Sequence, residues 1–265
     1  MQNHLKLLFT LLLVASAAYA QKLPNKQEAS IWAPADLKMD GKALEWNNMF
    51  QAYNRATDFF YTMANNDDIL YIIIQARDKD VINKIVDRGI TLTIKRSKSD
   101  KDNMSFTFPV SDGKNPLFFN LKNPMDDGSV NAADSLIMRY NKTLEKIHKL
   151  IRITGVEDVD TLISIYNENG IKTKEAFDNK KAYTFEMAIK LKHIGPILND
   201  KKGFYYQLKV NGRPSPPITS YIMANGAPPP SPEVLEAVMA QANAKMNIQS
   251  GATYFDSEYT LAKKP

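Results

Sequence analysis

The residues that could do chemistry in this chain are few, and their spacing excludes most familiar catalytic sites. His148 and His193 are the only histidines after the first 20 residues, and cysteine is absent. Zinc sites built from several histidines or thiolates are therefore not expected. No two of the eleven glycines lie closer than eight positions, which excludes the P-loop and the dinucleotide-binding turn. We predict that His148 is a partly exposed helix residue and that no residue is catalytic.

Adjacent acidic residues occur at Asp67–Asp68, Asp126–Asp127 and Glu157–Asp158. A glycosidase needs two carboxyl groups that face each other across the sugar, but neighbouring acids in turns more often bind backbone N–H groups or face water. Clustered oxygens in a loop would also suit calcium, although no Asp-x-Asp-x-Asp-Gly loop is present. The sequence therefore predicts no enzyme, no cofactor and no metal, with a structural calcium ion as the alternative.

Aromatic side chains carry the binding hypothesis. A sugar presents C–H groups that stack on an exposed ring, and its hydroxyl groups need polar partners beside that ring. Trp32, Tyr61 and Tyr205 are the candidate ligand-binding residues, since Trp32 lies in a polar segment and both tyrosines lie on predicted strands. The alternative for each tyrosine is a place in the core, and the alternative for Trp32 is that it pins the N-terminal segment. We predict a place in the core for Trp46.

The segments that must position these rings have the residue pattern of β-strands. Aromatic and β-branched enrichment or apolar–polar alternation predicts strands at residues 58–64, 69–76, 90–95, 104–110, 162–166, 171–177, 182–191, 204–210 and 254–263. The Asn169-Gly170 turn predicts that the fifth and sixth of these form a hairpin. We therefore predict an all-β fold, an antiparallel, jelly-roll-like β-sandwich with a helical insertion and one C-terminal helix before the last strand.

Two segments interrupt the strand pattern. Residues 111–160 are predicted to be an insertion with a helix that packs on the sandwich, or alternatively covers a binding face, through an apolar stripe of Leu136, Tyr140, Leu144, Ile147 and Ile151. Residues 212–232 hold half of the fourteen prolines and are expected to run extended over the surface. A helix from Ser231 to Met246 follows, with an inward stripe of Val234, Leu235, Val238, Met239 and Ala242.

The first 20 residues have the pattern of a secretory signal. Lys6 precedes an apolar run that ends in Ala18-Tyr19-Ala20, a cleavage signature. We predict a lead-in at 21–35, a single domain at 36–263, and an exported protein, periplasmic or extracellular, without a transmembrane segment. Loss of Lys6 lowers the net charge from +5 to +4, and basic and acidic residues are interspersed, which does not favour nucleic acid as a partner.

Several short motifs follow one another in a recognisable order. Met39-Asp40-Gly41-Lys42 with Glu45-Trp46 comes first, followed by further motifs at 66–71, 87–90, 183–191 and 259–261. This order resembles the family 9-like carbohydrate-binding modules, which are related to DOMON-type β-sandwiches, and the resemblance spans residues 38–263. It implies a jelly-roll-like sandwich that binds soluble or polymeric glycans without catalysis, sometimes with structural calcium.

The leading hypothesis is therefore a non-catalytic exported module that binds a glycan or another small ligand, most plausibly carbohydrate. An aromatic platform on a rigid sheet face would hold the sugar, and polar loop residues would fix its orientation. The alternative is a structural or protein-interaction module of the cell envelope that binds no sugar. The helix-bearing insertion and the proline-rich segment at 212–232 motivate it, because both could present a recognition surface. A hydrolase is the third hypothesis.

Overall fold

The computed structural model describes residues 23–46, 50–111, 117–121, 130–212 and 231–265, without the side chains of 130–133 and 243–249. The predicted signal at 1–20 and most of the proline-rich segment lie outside the described residues, so both stay predictions. The same holds for most of the predicted loop at 111–130.

The described strands form two six-stranded sheets. Sheet A has the order β1 (Ile31–Trp32), β3 (Phe59–Asn65), β4 (Ile69–Ala76), β10 (Tyr183–Lys190) and β9 (Ile171–Phe177), and β2 (Ala52–Asn54) also pairs with β3. Sheet B has the order β12 (Thr253–Thr260), β11 (Gly203–Val210), β5 (Ile90–Lys95), β6 (Asn103–Phe108), β7 (Leu150–Thr154) and β8 (Leu162–Ser164). Among the described strands, every pairing is antiparallel except β1 with β3.

The main hydrophobic core lies between the two sheets. Alternate residues of each strand point inward, as the period of two requires, and aromatic rings meet across the gap. The ring centroids of Phe59 in sheet A and Phe255 in sheet B lie 6.1 Å apart, and those of Phe185 and Phe108 also lie 6.1 Å apart. The predicted all-β sandwich is confirmed.

Four helices connect or flank the described strands: α1 (Lys79–Arg88), α2 (Val130–Ile147), α3 (Leu191–Ile194) and α4 (Pro232–Ser250). A carboxylate oxygen of Asp78 accepts hydrogen bonds from the backbone N–H groups of Asp80 and Val81, which caps the N-terminus of α1. Gly89 ends this helix with a φ of +80°, a conformation that favours glycine. Helix α1 thus links β4 to β5.

The predicted insertion at 111–160 is too long, because its last part belongs to sheet B. Helix α2 ends at Ile147, which is 52% exposed, and Ile151 lies on β7, paired with Ile163 of β8. The predicted stripe is right for Leu136 and Leu144, which are buried. It is wrong for Ile147 and Ile151, because pairing with β6 draws residues 150–154 into the sheet.

The predicted hairpin around Asn169-Gly170 is also wrong. Strand β8 pairs with β7 in sheet B, whereas β9 pairs with β10 in sheet A. Gly170 adopts a φ of +79°, so the turn chemistry is present. The connection instead carries the chain from one sheet to the other, because each strand buries its apolar side chains against the opposite sheet.

The predicted inward stripe of α4 is not buried. Val234 is 52% exposed and Val238 is 41% exposed, while Leu235, Met239 and Ala242 are half-buried. The two sheets already fill each other's inner faces, and none of the described side chains of this helix belongs to the main core. The apolar spacing therefore predicted the helix correctly but not a surface for it to pack on.

The described part of the lead-in, residues 23–35, is held against sheet A. The side chain of Gln27 is buried, and its amide accepts from the N–H of Met63 at 2.7 Å and donates to the Met63 carbonyl at 2.8 Å. Residues 31–32 then pair with β3 as strand β1. The lead-in thus satisfies the backbone groups at the edge of β3, which would otherwise be left unpaired.

Candidate functional site

The outer face of sheet B is the most promising surface for ligand binding. Along β11, Phe204, Tyr206 and Leu208 are buried, whereas Tyr205 and Lys209 are partly exposed on the opposite face. The described part of α4 does not bury this face, as the exposure of Tyr254 on the neighbouring strand shows (55%). Tyr205 and Lys209 on β11 and Tyr254 on β12 are therefore open to solvent, whereas Thr91 on the central strand β5 is buried.

Two tyrosine rings project from this open face. Tyr205 lies opposite Glu258 of β12, and Tyr254 of β12 lies opposite Lys209. Four residues therefore separate the two tyrosine positions along the sheet, which corresponds to about 14 Å at the usual rise per residue. An extended oligosaccharide would be needed to contact both rings.

Polar side chains fill the space between the tyrosines. The strand register aligns Asp256, Gln207, Thr93, Ser105 and Thr154 in one row across five strands. The Gln207 amide donates to Asp256 Oδ1 at 3.1 Å, and the hydroxyl groups of Ser105 and Thr154 lie 2.7 Å apart. This row presents hydroxyl, amide and carboxylate groups on rigid strands, the arrangement that suits recognition of sugar hydroxyls.

The three sequence-predicted site residues do not come together. Tyr205 lies on the open face of sheet B, whereas Trp32 is half-buried at the edge of sheet A. Tyr61 is wrong as an exposed ring, because it is fully buried and its hydroxyl lies 3.1 Å from that of Tyr206 and accepts from the backbone N–H of Gln27. Tyr254 was missed, although its place in an alternating final strand gave a signal.

The outer face of sheet A is covered by the segment that follows β1. Residues of this segment form a second hydrophobic cluster with Ala64 and Ile73 of the sheet, namely Ala33, Ala43, Trp46 and Phe50. Trp46 is buried there, which confirms its predicted place in a core. The cover removes most of this face from contact with solvent.

A buried carboxyl group anchors the cover to sheet A. Glu186 of β10 accepts a hydrogen bond from the backbone N–H of Gly41 at 2.7 Å. Burial raises the pKa of Glu186 to about 7, and the nearby carboxylates of Asp40 and Glu45 contribute to the increase, while the Gly41 hydrogen bond opposes it. Sequence reasoning missed Glu186 because it lies in an alternating strand that offers no sign of charge burial.

A cavity of about 510 Å³ lies beside this cover, lined by residues that include Lys42, Leu44, Gln75, Arg77 and Thr184. No aromatic residue is among the described residues that line it. The Arg77 guanidinium donates two hydrogen bonds to the Gln75 side chain and stacks 4.3 Å from the centre of the Phe60 ring. Because the Gln75 and Arg77 side chains are already bonded to each other, the cavity is a weaker sugar site than the outer face of sheet B.

A polar network lies inside the main core. His148 Nδ1 is 2.6 Å from a Glu175 oxygen, and the Tyr183 hydroxyl donates to the other Glu175 oxygen. Burial and the adjacent Glu175 raise the pKa of Tyr183 well above its usual value. The predicted partial exposure of His148 is wrong, because the residue after α2 turns inward to reach Glu175. Its burial (2% exposed) closes it to a substrate, so we interpret the network as structural.

His193 is also engaged within the fold. Its Nε2 lies 2.8 Å from the carbonyl oxygen of Asn169, in the connection between the sheets. Within the described ranges no cluster of three or more histidine, aspartate or glutamate side chains could hold a metal ion. None of the described helices is long and apolar enough to cross a membrane. Calcium binding and the compartment therefore stay predictions.

Comparisons with protein-family models, with curated proteins and with solved structures found no match to this chain. The resemblance to family 9-like carbohydrate-binding modules accordingly stays a prediction from the motifs. The geometry of the two sheet faces is what distinguishes one function from another.

Proposed function

We propose that this protein is a non-catalytic, exported carbohydrate-binding module whose binding surface is the outer face of sheet B. The observation that carries the proposal is the pair of solvent-facing rings, Tyr205 and Tyr254, which flank a row of polar side chains on an uncovered sheet. The row runs through Gln207, Thr93 and Ser105.

Each part of this surface has a role in the proposed binding. The tyrosine rings offer flat apolar faces to sugar C–H groups, and their hydroxyl groups stay in contact with water. The polar row offers donors and acceptors whose positions are fixed by the backbone hydrogen bonds of the sheet, so little side-chain ordering accompanies binding. The affinity for a single sugar unit would be weak, and contacts with several sugar units of one chain along the face would increase it.

Glycan-array screening followed by calorimetric titration of the best ligand tests this proposal. Tyr205→Ala and Tyr254→Ala should each weaken binding by about three- to tenfold, from the usual contribution of an aromatic contact. Tyr166→Ala is the matched control, because Tyr166 is an exposed tyrosine in the loop after β8. The absence of any glycan binding at millimolar concentration, or equal loss in all three variants, would refute the proposal.

A second candidate is a protein-interaction module, and helix α4 favours it. Val234 and Val238 are one helical turn apart and more than 40% exposed, and exposed apolar residues that are close together often mark contact sites. Co-purification with an envelope partner that is lost in a Val234→Ser, Val238→Ser variant, and kept in Tyr205→Ala, would support this candidate. The reverse pattern for a glycan ligand would exclude it as the main function.

A further inference from the structure

A cationic pocket opens at one end of the outer face of sheet B. Its volume is about 380 Å³, within the range of small-ligand sites. The lining includes two threonines and an asparagine, together with three basic side chains: Thr91, Thr107, Asn211, Arg88, Arg152 and Lys209. The strand register places Lys209, Thr91, Thr107 and Arg152 in one row, next to the polar row described above.

The floor of this pocket is a connected hydrogen-bond network. The hydroxyl groups of Thr91 and Thr107 lie 2.8 Å apart, and Thr91 Oγ1 also donates to Asn211 Oδ1 at 3.2 Å. The Asn211 amide donates to the backbone carbonyl of Arg88 at 3.0 Å. These bonds hold the hydroxyl and amide groups in fixed positions before a ligand arrives.

The wall of the pocket beside Arg88 is equally constrained. Gly89 has a φ of +80°, and a Cβ atom at that position would lie 2.2 Å from the carbonyl oxygen of Pro109, which also lines the pocket. The backbone N–H of Asn211 donates to the Gly89 carbonyl at 3.0 Å. The end of α1, the end of β6 and the end of β11 are thus locked together around the site.

The charges around the pocket are unbalanced. None of the described residues that line it is acidic. Arg88 is paired with the buried Asp87 at 2.9 Å, but Arg152 and Lys209 form no salt bridge within the described part of the chain. In the neighbouring row, the Asp256 carboxylate accepts a hydrogen bond from the Gln207 amide and keeps its charge. Two cationic side chains without a salt bridge therefore line a pocket whose described lining holds no acid.

We propose that this pocket binds an anionic substituent, a carboxylate or a sulfate, of a glycan that lies on the outer face of sheet B. The inference rests on the proposed carbohydrate-binding function and narrows it to acidic polysaccharides. Lys209 joins the two parts of the surface, because it lines the pocket and lies directly opposite Tyr254. A chain whose sugar stacks on Tyr254 would thus place a neighbouring substituent near Lys209.

The chemistry of the basic residues matches such a substituent. The Arg152 guanidinium can donate two parallel hydrogen bonds to a carboxylate or a sulfate, and the Lys209 ammonium adds a point charge. The Thr91 hydroxyl donates to Asn211 and accepts from Thr107, so both hydroxyl protons belong to the floor, and the basic side chains supply the hydrogen bonds to the substituent. A neutral sugar would leave both charges without a partner, so the pocket favours acidic ligands.

The test compares neutral, uronate-containing and sulfated glycans on one array, followed by calorimetric titration of the best ligand. Arg152→Gln and Lys209→Gln should each weaken binding of an acidic glycan by roughly tenfold or more, since hydrogen bonds to charged groups are strong. Lys192→Gln is the control for net charge, because Lys192 is exposed on α3, at the end of a sheet A strand. Circular dichroism and urea unfolding check that each variant is folded.

The possible outcomes separate this inference from the proposed function. A preference for acidic glycans that is lost in Arg152→Gln and Lys209→Gln, and kept in Lys192→Gln, supports both. Equal binding of neutral and acidic glycans, unchanged in the pocket variants, overturns the inference and leaves the proposed function standing. If no glycan binds, the proposed function fails. Titration with inorganic sulfate and phosphate then separates a free-anion site from no site at all, and either result overturns the glycan inference.

Discussion

The outer faces of the two sheets have opposite surroundings although both belong to amphipathic strands of one sandwich. On sheet A, the segment that follows β1 places Trp46 and Phe50 against Ile73 and forms a second core. On sheet B, the corresponding face carries tyrosines, threonines and charged residues, most of which stay in contact with water, although Thr91 is buried. A face that is covered contributes to stability, and a face that is open is available for recognition.

This difference originates in the sequence of the strands themselves. The outward positions of the central strand β4 include Tyr71 and Ile73, which need an apolar cover. The outward positions of the central strand β5 are Thr91, Thr93 and Lys95, which need none. Substitutions on each face should show whether the two faces differ in their contribution to stability.

Removing an aromatic ring should be costly on sheet A and nearly neutral on sheet B. Trp46→Ala is expected to lower the free energy of unfolding by about 3–5 kcal/mol, because it leaves a cavity in a packed cluster. Tyr205→Ala should change it by less than about 1 kcal/mol, as expected for a surface position. Urea unfolding monitored by circular dichroism measures both. Equal losses would mean that the face of sheet B is covered in solution.

The turn at Gly41, which holds the cover against sheet A, should not tolerate a side chain. A Cβ atom at Gly41 would lie 2.8 Å from both Cβ and N of Ala176 of sheet A, and Gly41 has a φ of +80°. Gly41→Ala is therefore expected to destabilise the protein by about 2–4 kcal/mol through strain and steric overlap. Gly195→Ala is the control, because Gly195 has helical backbone angles and no atom near its Cβ position. Similar midpoints for both variants would contradict this assignment.

The anchor of the cover should make stability depend on pH. The pKa of Glu186 is raised from 4.5 to about 7 in the folded state. Below this interval the carboxyl group is protonated in both states. Within it only the unfolded state loses the proton, so stability falls as the pH rises, and above it the loss is complete. The total decrease in the free energy of unfolding is at most about 3 kcal/mol, at 1.36 kcal/mol per pKa unit.

Glu186→Gln should abolish this contribution, so that the variant gains stability relative to the natural protein as the pH rises from 5 towards 8. Thermal and urea unfolding at several pH values measure the difference. Glu258→Gln, at an exposed position of β12 on sheet B, controls for the substitution itself. A parallel pH profile for Glu186→Gln and the natural protein would show that the carboxyl group is ionised in the folded state.

The smallest effect should distinguish two threonines on the open face. Thr91→Val breaks the hydrogen bonds to Thr107 and Asn211 and is expected to cost about 0.5–1.5 kcal/mol. Thr93 forms no side-chain hydrogen bond with the described residues, so Thr93→Val should stay within about 0.5 kcal/mol. Equal stability of the two variants, measured by urea unfolding, would show that the pocket floor is not pre-organised.

Sequence reasoning was most successful where a single segment determined its own structure. The strands from β3 to β6 and from β9 to β12 were located by alternation and composition. Sequence reasoning failed where the pairing of one strand with another had to be predicted. The Asn169-Gly170 turn gave no sign that β8 and β9 belong to different sheets, because turn chemistry does not encode which strand lies alongside.

The candidate site was predictable only in part for the same reason. Alternation shows that Tyr205 points to one face of its strand, whereas Phe204 and Tyr206 point to the other. All three residues are aromatic, so their hydrophobicity does not show which face is buried. The contact between the hydroxyl groups of Tyr206 and Tyr61 decides it. Arg152 and Lys209 lie far apart in the chain. Only the pairing of β11, β5, β6 and β7 places both in the lining of one pocket.

Patterns within short segments were enough to show that this protein is built of amphipathic strands and lacks the residue spacings of common nucleotide and zinc sites. Local backbone preference and side-chain periodicity are properties of short segments, and they survive without a tertiary structure. The packing of the two sheets settled which face is covered, which tyrosine is exposed and which basic side chains line one pocket. Those outcomes depend on packing between segments that are distant in sequence. The segment after β1 packs on the outer face of sheet A and not on that of sheet B.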